Sequence, residues 1–505
     1  MRMISLAGLL LVLPNLLLMP ASGSEEKKPP NFILILADDM AWDDCGAFGN
    51  RAIRTPNIDA LAREGMRFDR AYLTCSSCSP SRSSIITGRY PHSTDAEELH
   101  WPLPASQVTF VERLKASGYW TAAAGKWHLG NAVKNRFDVV HEANPASFQL
   151  PTGPEAIGAR LASKAKGDAA SGCDQWVSTL RDRPRDKPFF LWLAAFDPHR
   201  DYADGAIAKP HRPEDVVIPP YLPDAPEVRA DLALYYDEIG RLDRFVGEVL
   251  AELDRQEASQ ETVVLFLSDN GRPFPRCKTT LYESGIKTPL IVRWPGRIPA
   301  GSHCARLVSS VDIAPTILSL AGLERPPSVQ GQDVSILFTD PQAKVSDLIF
   351  AEHNWHDYAA HARAVRSERF KYIRNYDNDM PLTPPADAVR SPTYQVMRSL
   401  RDARKLTPEQ SVCFVRPRTA EELYDTESDP NELHNLADDK DQANTLRRMR
   451  EALATWEAET DDRKAGPLNP DEFDRETGDP LPNRIRPRPG KLKTVTPIRE
   501  TPTGA

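Results

Sequence analysis

Three unbroken apolar runs constrain this chain more than any other feature. Residues 31–39 read NFILILADD, residues 188–199 PFFLWLAAFDPH, and residues 262–270 TVVLFLSDN. None alternates apolar with polar positions. A run of this kind is how a strand buried on both faces reads, as in a parallel sheet. Helical patterns lie between the runs. NIDALAREGMR, residues 57–67, places Ile58, Leu61 and Ala62 on one face. Residues 225–255 carry a longer stripe through Leu232, Tyr235, Ile239, Leu242, Val246, Val249 and Leu253, with Asp224 as a candidate cap. Strands alternating with helices predict an α/β fold with a mostly parallel central sheet. Ligands of such sheets bind beyond the carboxyl ends of the strands. Here those ends carry Asp38 and Asp39, the triplet Asp197-Pro198-His199, and Asp269 with Asn270.

The pattern changes near residue 340. DLIFAEHNW and FKYIRNYD read as strands of a smaller antiparallel sheet, and LYDTESDPNELHNLADD as a strand end, a turn and a helix start. Residues 441–459 form an amphipathic helix. The expected division is a catalytic α/β domain over 30–340, a C-terminal α+β subdomain over 341–465, and a tail over 466–505. With eight prolines in 40 residues and the basic stretch NRIRPRPGKLK, that tail reads as extended or disordered.

The N-terminus has the layout of a secretory signal over residues 1–23. Arg2 precedes an apolar run interrupted by Pro14 and Asn15, and Ala21-Ser22-Gly23 offers a cleavage site. Export to the periplasm or the medium is therefore expected, without a membrane span. A net charge of −8 over 505 residues argues against a nucleic-acid partner. Seven cysteines are too few for a disulfide scaffold of this length, and the odd number marks one for a separate fate.

Asp38, Asp39, Asp269 and Asn270 are oxygen donors, the set that hard divalent cations such as calcium or magnesium require. Each pair alone could equally be a cap or an Asx turn. Together at two strand ends they point to a metal. Cys78 precedes Pro80 by two residues in TCSSCSPSRSSIITGRYPH, and proline favours the first turn of a helix. Cys78 therefore stands at a helix N-terminus, where backbone N–H groups favour an anion, with Arg82 one turn on. Lys126 and His128 of GKWHLG, His199 and Lys278 complete a pocket suited to a tetrahedral oxyanion. Taken singly, Lys126 reads as a surface charge and His128 as a local hydrogen-bonder.

Cys-Ser-Pro-Ser-Arg followed by Ile-Ile-Thr-Gly-Arg resembles the sulfatase signature C-x-P-S-R-x-x-x-L-T-G, with Ile86 in place of leucine. Asp38-Asp39, GKWHLG, DPH, SDNG and GIKTPLIVRWPG follow in the order of that family, so the resemblance spans roughly residues 30–460. It implies an alkaline-phosphatase-like α/β sandwich. It also implies one Ca2+ per chain, held by Asp38, Asp39, Cys78, Asp269 and Asn270. By the same resemblance Cys78 is converted to Cα-formylglycine by a formylglycine-generating enzyme, and the aldehyde hydrate is the nucleophile. Arg82, Lys126, His128, His199 and Lys278 take catalytic roles, with Lys126, His199 and Lys278 also gripping the substrate.

Within the family, SSCSPSR, FDPHR, VRADLALYYDEIGRLD, SDNGRPFP, SPTYQ and LYDTESDPNELHNLA resemble the heparan N-sulfatases, enzymes of N-sulfated glucosamine. Lys278 departs from that branch, which carries arginine there, and Lys287 adds a base. The expected substrate is a sulfated saccharide, with an O-sulfatase of another polysaccharide as the alternative. A phosphoesterase of the same superfamily and a non-catalytic glycan-binding protein are further readings, both opposed by the Cys-Ser-Pro-Ser-Arg context. His353, Asn354, His356 and Tyr358 are candidates for touching the sugar, or equally strand-end residues with no ligand.

Overall fold

The three apolar runs become three adjacent strands at the centre of one sheet. The computed structural model describes residues 29–143, 167–462 and 467–482. Among them the large sheet comprises β1 (Asn31–Ala37), β2 (Met66–Tyr72), β3 (Trp120–Gly125), β4 (Val139–Glu142), β5 (Phe189–Ala194), β6 (Thr262–Ser268), β7 (Leu290–Arg293) and β8 (Ser302–Ser309). Their order is β4-β3-β5-β1-β6-β7-β2-β8. All neighbours run parallel except β7, which is antiparallel to both β6 and β2.

The runs lack alternation because both faces of these strands are covered. Ile33 and Ile35 face the helix Pro226–Arg255 through Leu232, Tyr235, Ile239, Leu242 and Val246. Phe32, Leu34 and Leu36 belong to a second core with Phe110, Leu114, Ile313 and Ile317. Each such side chain, taken fully out of water, contributes roughly 1.5–3 kcal/mol. This double covering holds the strand ends in register: Ala37 lies beside Ser268, and Leu36 beside Ala194. Asp38, Asp269 and the 197–199 turn thus emerge side by side.

The second sheet is fully antiparallel, in the order β12-β11-β10-β9. Its strands are β9 (Ile349–His353), β10 (Ala362–Arg366), β11 (Phe370–Asn375) and β12 (Glu421–Asp425). The helix Ala443–Glu459 covers one face with Leu446, Met449, Leu453 and Trp456. The other face packs Ala351, Ala364, Ile373 and Tyr424 against Tyr72, Leu281 and Ile286 of the large domain.

Three local expectations are corrected. The helix expected over 57–67 ends at Glu64. A Cβ on Gly65 would stand 2.4 Å from the Val292 carbonyl oxygen, so strand pairing starts there and Met66 and Arg67 join β2. Asp224 does not cap the long helix. Ala225 takes the N-cap position with Pro226 following, and Asp224 pairs with Arg229 at 2.6 Å. The segment 467–482 of the expected loose tail packs on the body. Phe473 and Glu472 are buried, Trp355 Nε1 donates to the Pro470 carbonyl at 2.8 Å, and Asn469 Nδ2 donates to Glu98 at 2.7 Å. The expected signal segment 1–23 and residues 483–505 lie outside the described residues.

Candidate active site

At the carboxyl end of β1 the chain turns sharply, with Asp39 at φ 74°. The turn is tied down from several sides. Asp38 N donates to the Asp197 carbonyl at 2.9 Å, Met40 N to Ser268 Oγ at 2.9 Å, and Ala41 N to the Tyr235 hydroxyl at 3.1 Å. Asp197 is itself gripped by Arg241 of the long helix, with Nε to Oδ2 at 2.8 Å. The helix Cys78–Thr87 starts opposite, with Ser77 as its N-cap and every residue buried. Lys126 follows Gly125, the last residue of β3. Gly125 has φ +100°, and a Cβ there would stand 1.9 Å from the Ala194 carbonyl, so only glycine lets the chain turn Lys126 inward.

Asp38, Asp39, Asp269 and Cys78 each offer an atom within 4.8 Å of the other three, all buried. The Cys78 thiol lies 3.5 Å from Asp38 Oδ1 and 3.8 Å from Asp39 Oδ1. Three cations oppose the three carboxylates. Arg82 Nε donates to Asp269 Oδ2 at 2.7 Å, Lys278 Nζ to Asp39 at 2.8 Å, and Lys126 to Asp38. Arg82 also donates to the Lys126 carbonyl at 2.9 Å, which fixes its fork. His199 Nε2 stands 3.9 Å from Asp39 Oδ2.

Burial dominates the protonation of these groups. It pushes Asp39 up to about 7 against the pull of Lys278, and Asp269 up to about 6 with help from Asp38. For Asp38 the cations, Lys126 first, outweigh burial and hold it below the usual carboxylate range. The Cys78 thiol is raised well above its ordinary value by burial, so it is held protonated and is a poor nucleophile as it stands. Burial and Lys278 bring His199 down to about 3, and burial with His100 keeps His128 neutral.

The donor set fits a divalent cation. Oxygen ligands about 2.3–2.6 Å from one Ca2+ stand within about 5 Å of each other, which matches the cluster. Asn270 turns its amide nitrogen to Asp39 Oδ1, and its buried Oδ1 has no hydrogen-bond partner among the described residues. Rotating the amide would present that oxygen to a cation and satisfy it.

The structure thus brings together Asp38, Asp39, Cys78, Arg82, Lys126, His199, Asp269, Asn270 and Lys278. His128 joins the wall through His100, Nδ1 to Nε2 at 2.7 Å. His356 reaches it through Ser77, whose Oγ lies 2.7 Å from Nδ1. His353 stands apart at the end of β9, among Arg418, Arg363, Arg475 and His361. Asn354 bonds Arg363 and Glu352, and the Tyr358 hydroxyl donates to the Asp474 carbonyl at 3.1 Å. Lys287 lies 3.6 Å over the Trp42 ring, away from the carboxylate cluster. The SPTYQ segment works at one remove. Thr393 Oγ1 donates to Asp231 at 2.6 Å, and Asp231 holds Arg200 through two bonds of 2.7 and 2.8 Å. Arg200 in turn donates to the Pro273 carbonyl at 2.7 Å, in the loop that carries Lys278.

Two residues at the site escape sequence reasoning. His100 is one, held by its N–H to Ser79 Oγ at 2.8 Å. Asp387 is the other, on the short helix Ala386–Val389, with Oδ2 3.9 Å from His199 Nε2. Neither sits in a pattern that marks it out.

Carboxylates at parallel strand ends, a cysteine at a helix start and three inward cations define a class, and comparison with known proteins agrees with it. Residues 30–323 match the sulfatase family, and residues 276–382 match the C-terminal part of N-sulphoglucosamine sulphohydrolases. The chain belongs to the sulfatase family and is a hydrolase of sulfuric esters or sulfamates. Among individual proteins it is 32% identical to human N-sulphoglucosamine sulphohydrolase, over 86% of this chain and 91% of that protein. It is 30% identical to an ulvan-active sulfatase of Formosa agariphila, over 86% of this chain and 76% of that one. A solved structure in complex with its substrate D-glucosamine-2-N,6-O-disulfate shares the fold, with TM-score 0.65 and 19% identity over 86% of this chain and 99% of the other.

Proposed function

We propose that this enzyme removes the N-sulfate of a glucosamine at the non-reducing end of a heparin-like saccharide. The supporting observation is that likeness to the N-sulphoglucosamine sulphohydrolases covers residues 276–382, overlapping the end of the general sulfatase match at Lys278 and running past its limit at residue 323 to include His356. Asp38, Asp39, Asp269, Asn270 and residue 78 would hold one Ca2+, which supplies positive charge against the sulfuryl oxygens. Cys78, matured to formylglycine by a dedicated generating enzyme, would supply as its hydrate the oxygen that attacks sulfur. The protonated, buried thiol gives this reading its chemical motive.

The chain's own groups do the rest. Arg82, Lys126 and Lys278 hold the sulfuryl oxygens, and their charge is fixed in place before the reaction starts. His199 presents Nε2 at the mouth, where it delivers a proton to the departing atom. A bound sulfuryl anion favours that protonated state. His128, kept neutral, accepts a proton from the hydroxyl of residue 78 when sulfate is released. His356, in the loop between β9 and β10, faces the sugar, and His353 contacts a more distant part of the saccharide. Residues 1–23 direct export before this chemistry is needed.

The likeness to an ulvan-active sulfatase, together with Lys278, favours a second reading, an O-sulfatase of another polysaccharide. Lysine offers a compact point charge where arginine offers a planar fork. The deciding measurement is kcat/KM on N-sulfoglucosamine against 6-O-sulfoglucosamine. The N-sulfate is expected to be preferred. An O-sulfate preferred by more than about tenfold, roughly 1.4 kcal/mol of transition-state binding, replaces the first reading with the second.

A further inference from the structure

Asp387 is out of place by charge. The substrate of a sulfatase is an anion, and the pocket opposes it with Arg82, Lys126 and Lys278. Yet a carboxylate stands at the mouth, with Oδ2 3.9 Å from His199 Nε2. It is not there as part of the acidic cluster, whose members lie at the ends of β1 and β6 and at Cys78. Its oxygens differ in use. Oδ1 accepts the Ala388 N–H at 2.7 Å, whereas Oδ2 accepts no hydrogen bond among the described residues. The side chain is 19% exposed and lies beside His199.

The position is built. Asp357 Oδ2 accepts the Ala386 N–H at 2.9 Å and so anchors the first residue of the short helix. Asp357 is fixed in turn, since its carbonyl accepts the Glu472 N–H at 2.9 Å. Arg390, just past the helix, bonds the Gly478 carbonyl. Segment 467–482 therefore holds the mouth from behind. The group is ionised: Lys278, His199, Arg390 and Arg200 outweigh burial and bring it down to about 2.

An ionised carboxylate only accepts hydrogen bonds. Beside a neutral His199, its open oxygen can take a donor from the substrate. A sulfate ester places a bare oxygen between carbon and sulfur. A sulfamate places an N–H there, and after the S–N bond breaks the nitrogen gains a proton and departs as an amine. The leaving atom must lie within reach of His199 Nε2 to be protonated, which puts it beside Asp387 Oδ2 as well.

We propose that Asp387 is a specificity residue that accepts the N–H of a sulfamate, favouring N-sulfated over O-sulfated sugars. This rests on the N-sulfoglucosamine reading above and gives it a physical cause. A carboxylate facing an ester oxygen finds lone pairs instead of a proton, so the same group that aids one substrate repels the other.

The test is Asp387→Asn, in which the amide keeps the shape and an acceptor for the Ala388 N–H. Asp387→Ser serves as a second variant should the amide disturb folding, which thermal melting reports. Three substrates are compared: N-sulfoglucosamine, 6-O-sulfoglucosamine and 4-nitrophenyl sulfate, which offers neither an N–H nor a sugar hydroxyl. Loss of a hydrogen bond to a charged acceptor should lower kcat/KM on the sulfamate by about 10- to 100-fold. Turnover of the other two should not fall, and that of the 6-O-sulfate should rise as the repulsion of its ester oxygen is removed. An equal fall on both sugars with the aryl ester spared would mean a sugar hydroxyl is recognised, and the proposal fails. An equal fall on all three would mean a structural role, and it fails again. Wild-type enzyme that cleaves the 6-O-sulfate but not the N-sulfate overturns the substrate reading and this inference with it. A wild-type N-sulfate preference left unchanged in the variant overturns this inference alone.

Discussion

Single residues at this site are defined by what burial does to them. Cys78 is the clearest case, since its thiol is protonated and faces two carboxylates that would repel a thiolate. Its position at the start of a buried helix matters more than its sulfur. Cys78→Ala is therefore expected to abolish hydrolysis while leaving the melting temperature near that of the wild type, because alanine suits a helix start and removes few core contacts. In active wild-type enzyme the peptide carrying residue 78 should be lighter than its cysteine form by about 18 Da, the loss expected on conversion to an aldehyde. Near-normal turnover by the alanine variant would reject the nucleophile. The donors at the strand ends and the Lys126 cation of GKWHLG were legible in the sequence because each lies beside a strong local pattern. Asp387 was not, because PPADAV carries no periodicity and its significance comes from folding against His199, 188 positions away. His353 shows the converse: it sits in a suggestive stretch, yet it is the last residue of β9, where burial and then the charges of Arg418, Arg363 and Arg475 lower its pKa.

At the scale of elements, the site is the place where β1 and β6 stop side by side. Their inner residues were legible as runs buried on both faces. The neighbour order was not, since an apolar run does not say which strand it lies beside, nor that β7 would run antiparallel. The register Ala37 beside Ser268 sets Asp38 against Asp269, and the backbone N–H of Asp39 reaches Asp269 Oδ1 at 3.4 Å. Carboxylates so placed repel each other and pull the two strand ends apart unless cations lie between them. Arg82, Lys126 and Lys278 supply part of that charge. A divalent ion would supply more, and by binding only the folded chain it would stabilise it by about 3 kcal/mol at a hundredfold excess over Kd. Removing divalent metal with a chelator is thus expected to lower the melting temperature and stop turnover, with Ca2+ restoring both. Elemental analysis that finds no divalent metal in fully active protein would reject the site.

The whole molecule is two sheets joined through a small buried set of charges. Lys371 on β11 lies 2.7 Å from Glu283 and 2.8 Å from Glu432, with its side chain fully buried. Arg366 on β10 approaches the same Glu283 at 3.2 Å, and the Tyr72 hydroxyl of β2 donates to it at 2.8 Å. Glu283 begins the turn that follows the Lys278 loop, so this junction connects the second sheet to the catalytic wall. The cations, Lys371 foremost, hold Glu283 below the usual carboxylate range despite its burial. Neutralising the lysine leaves two carboxylates facing each other out of water, and breaking such a pair by removing one partner costs about 3–5 kcal/mol. Lys371→Met should therefore destabilise the enzyme by that order in denaturant unfolding. It should also raise KM on saccharides more than on 4-nitrophenyl sulfate, because the sheet whose β9–β10 loop holds His356 is loosened while the strand-end cluster is not. Restoring charge balance with Glu432→Gln in the same chain should recover much of the stability, since Glu283 then keeps Arg366 as its partner and no buried carboxylate is left unpaired. A Lys371→Met enzyme as stable as the wild type would show that apolar packing around Tyr72, Ile286 and Ile373 alone holds the two sheets together.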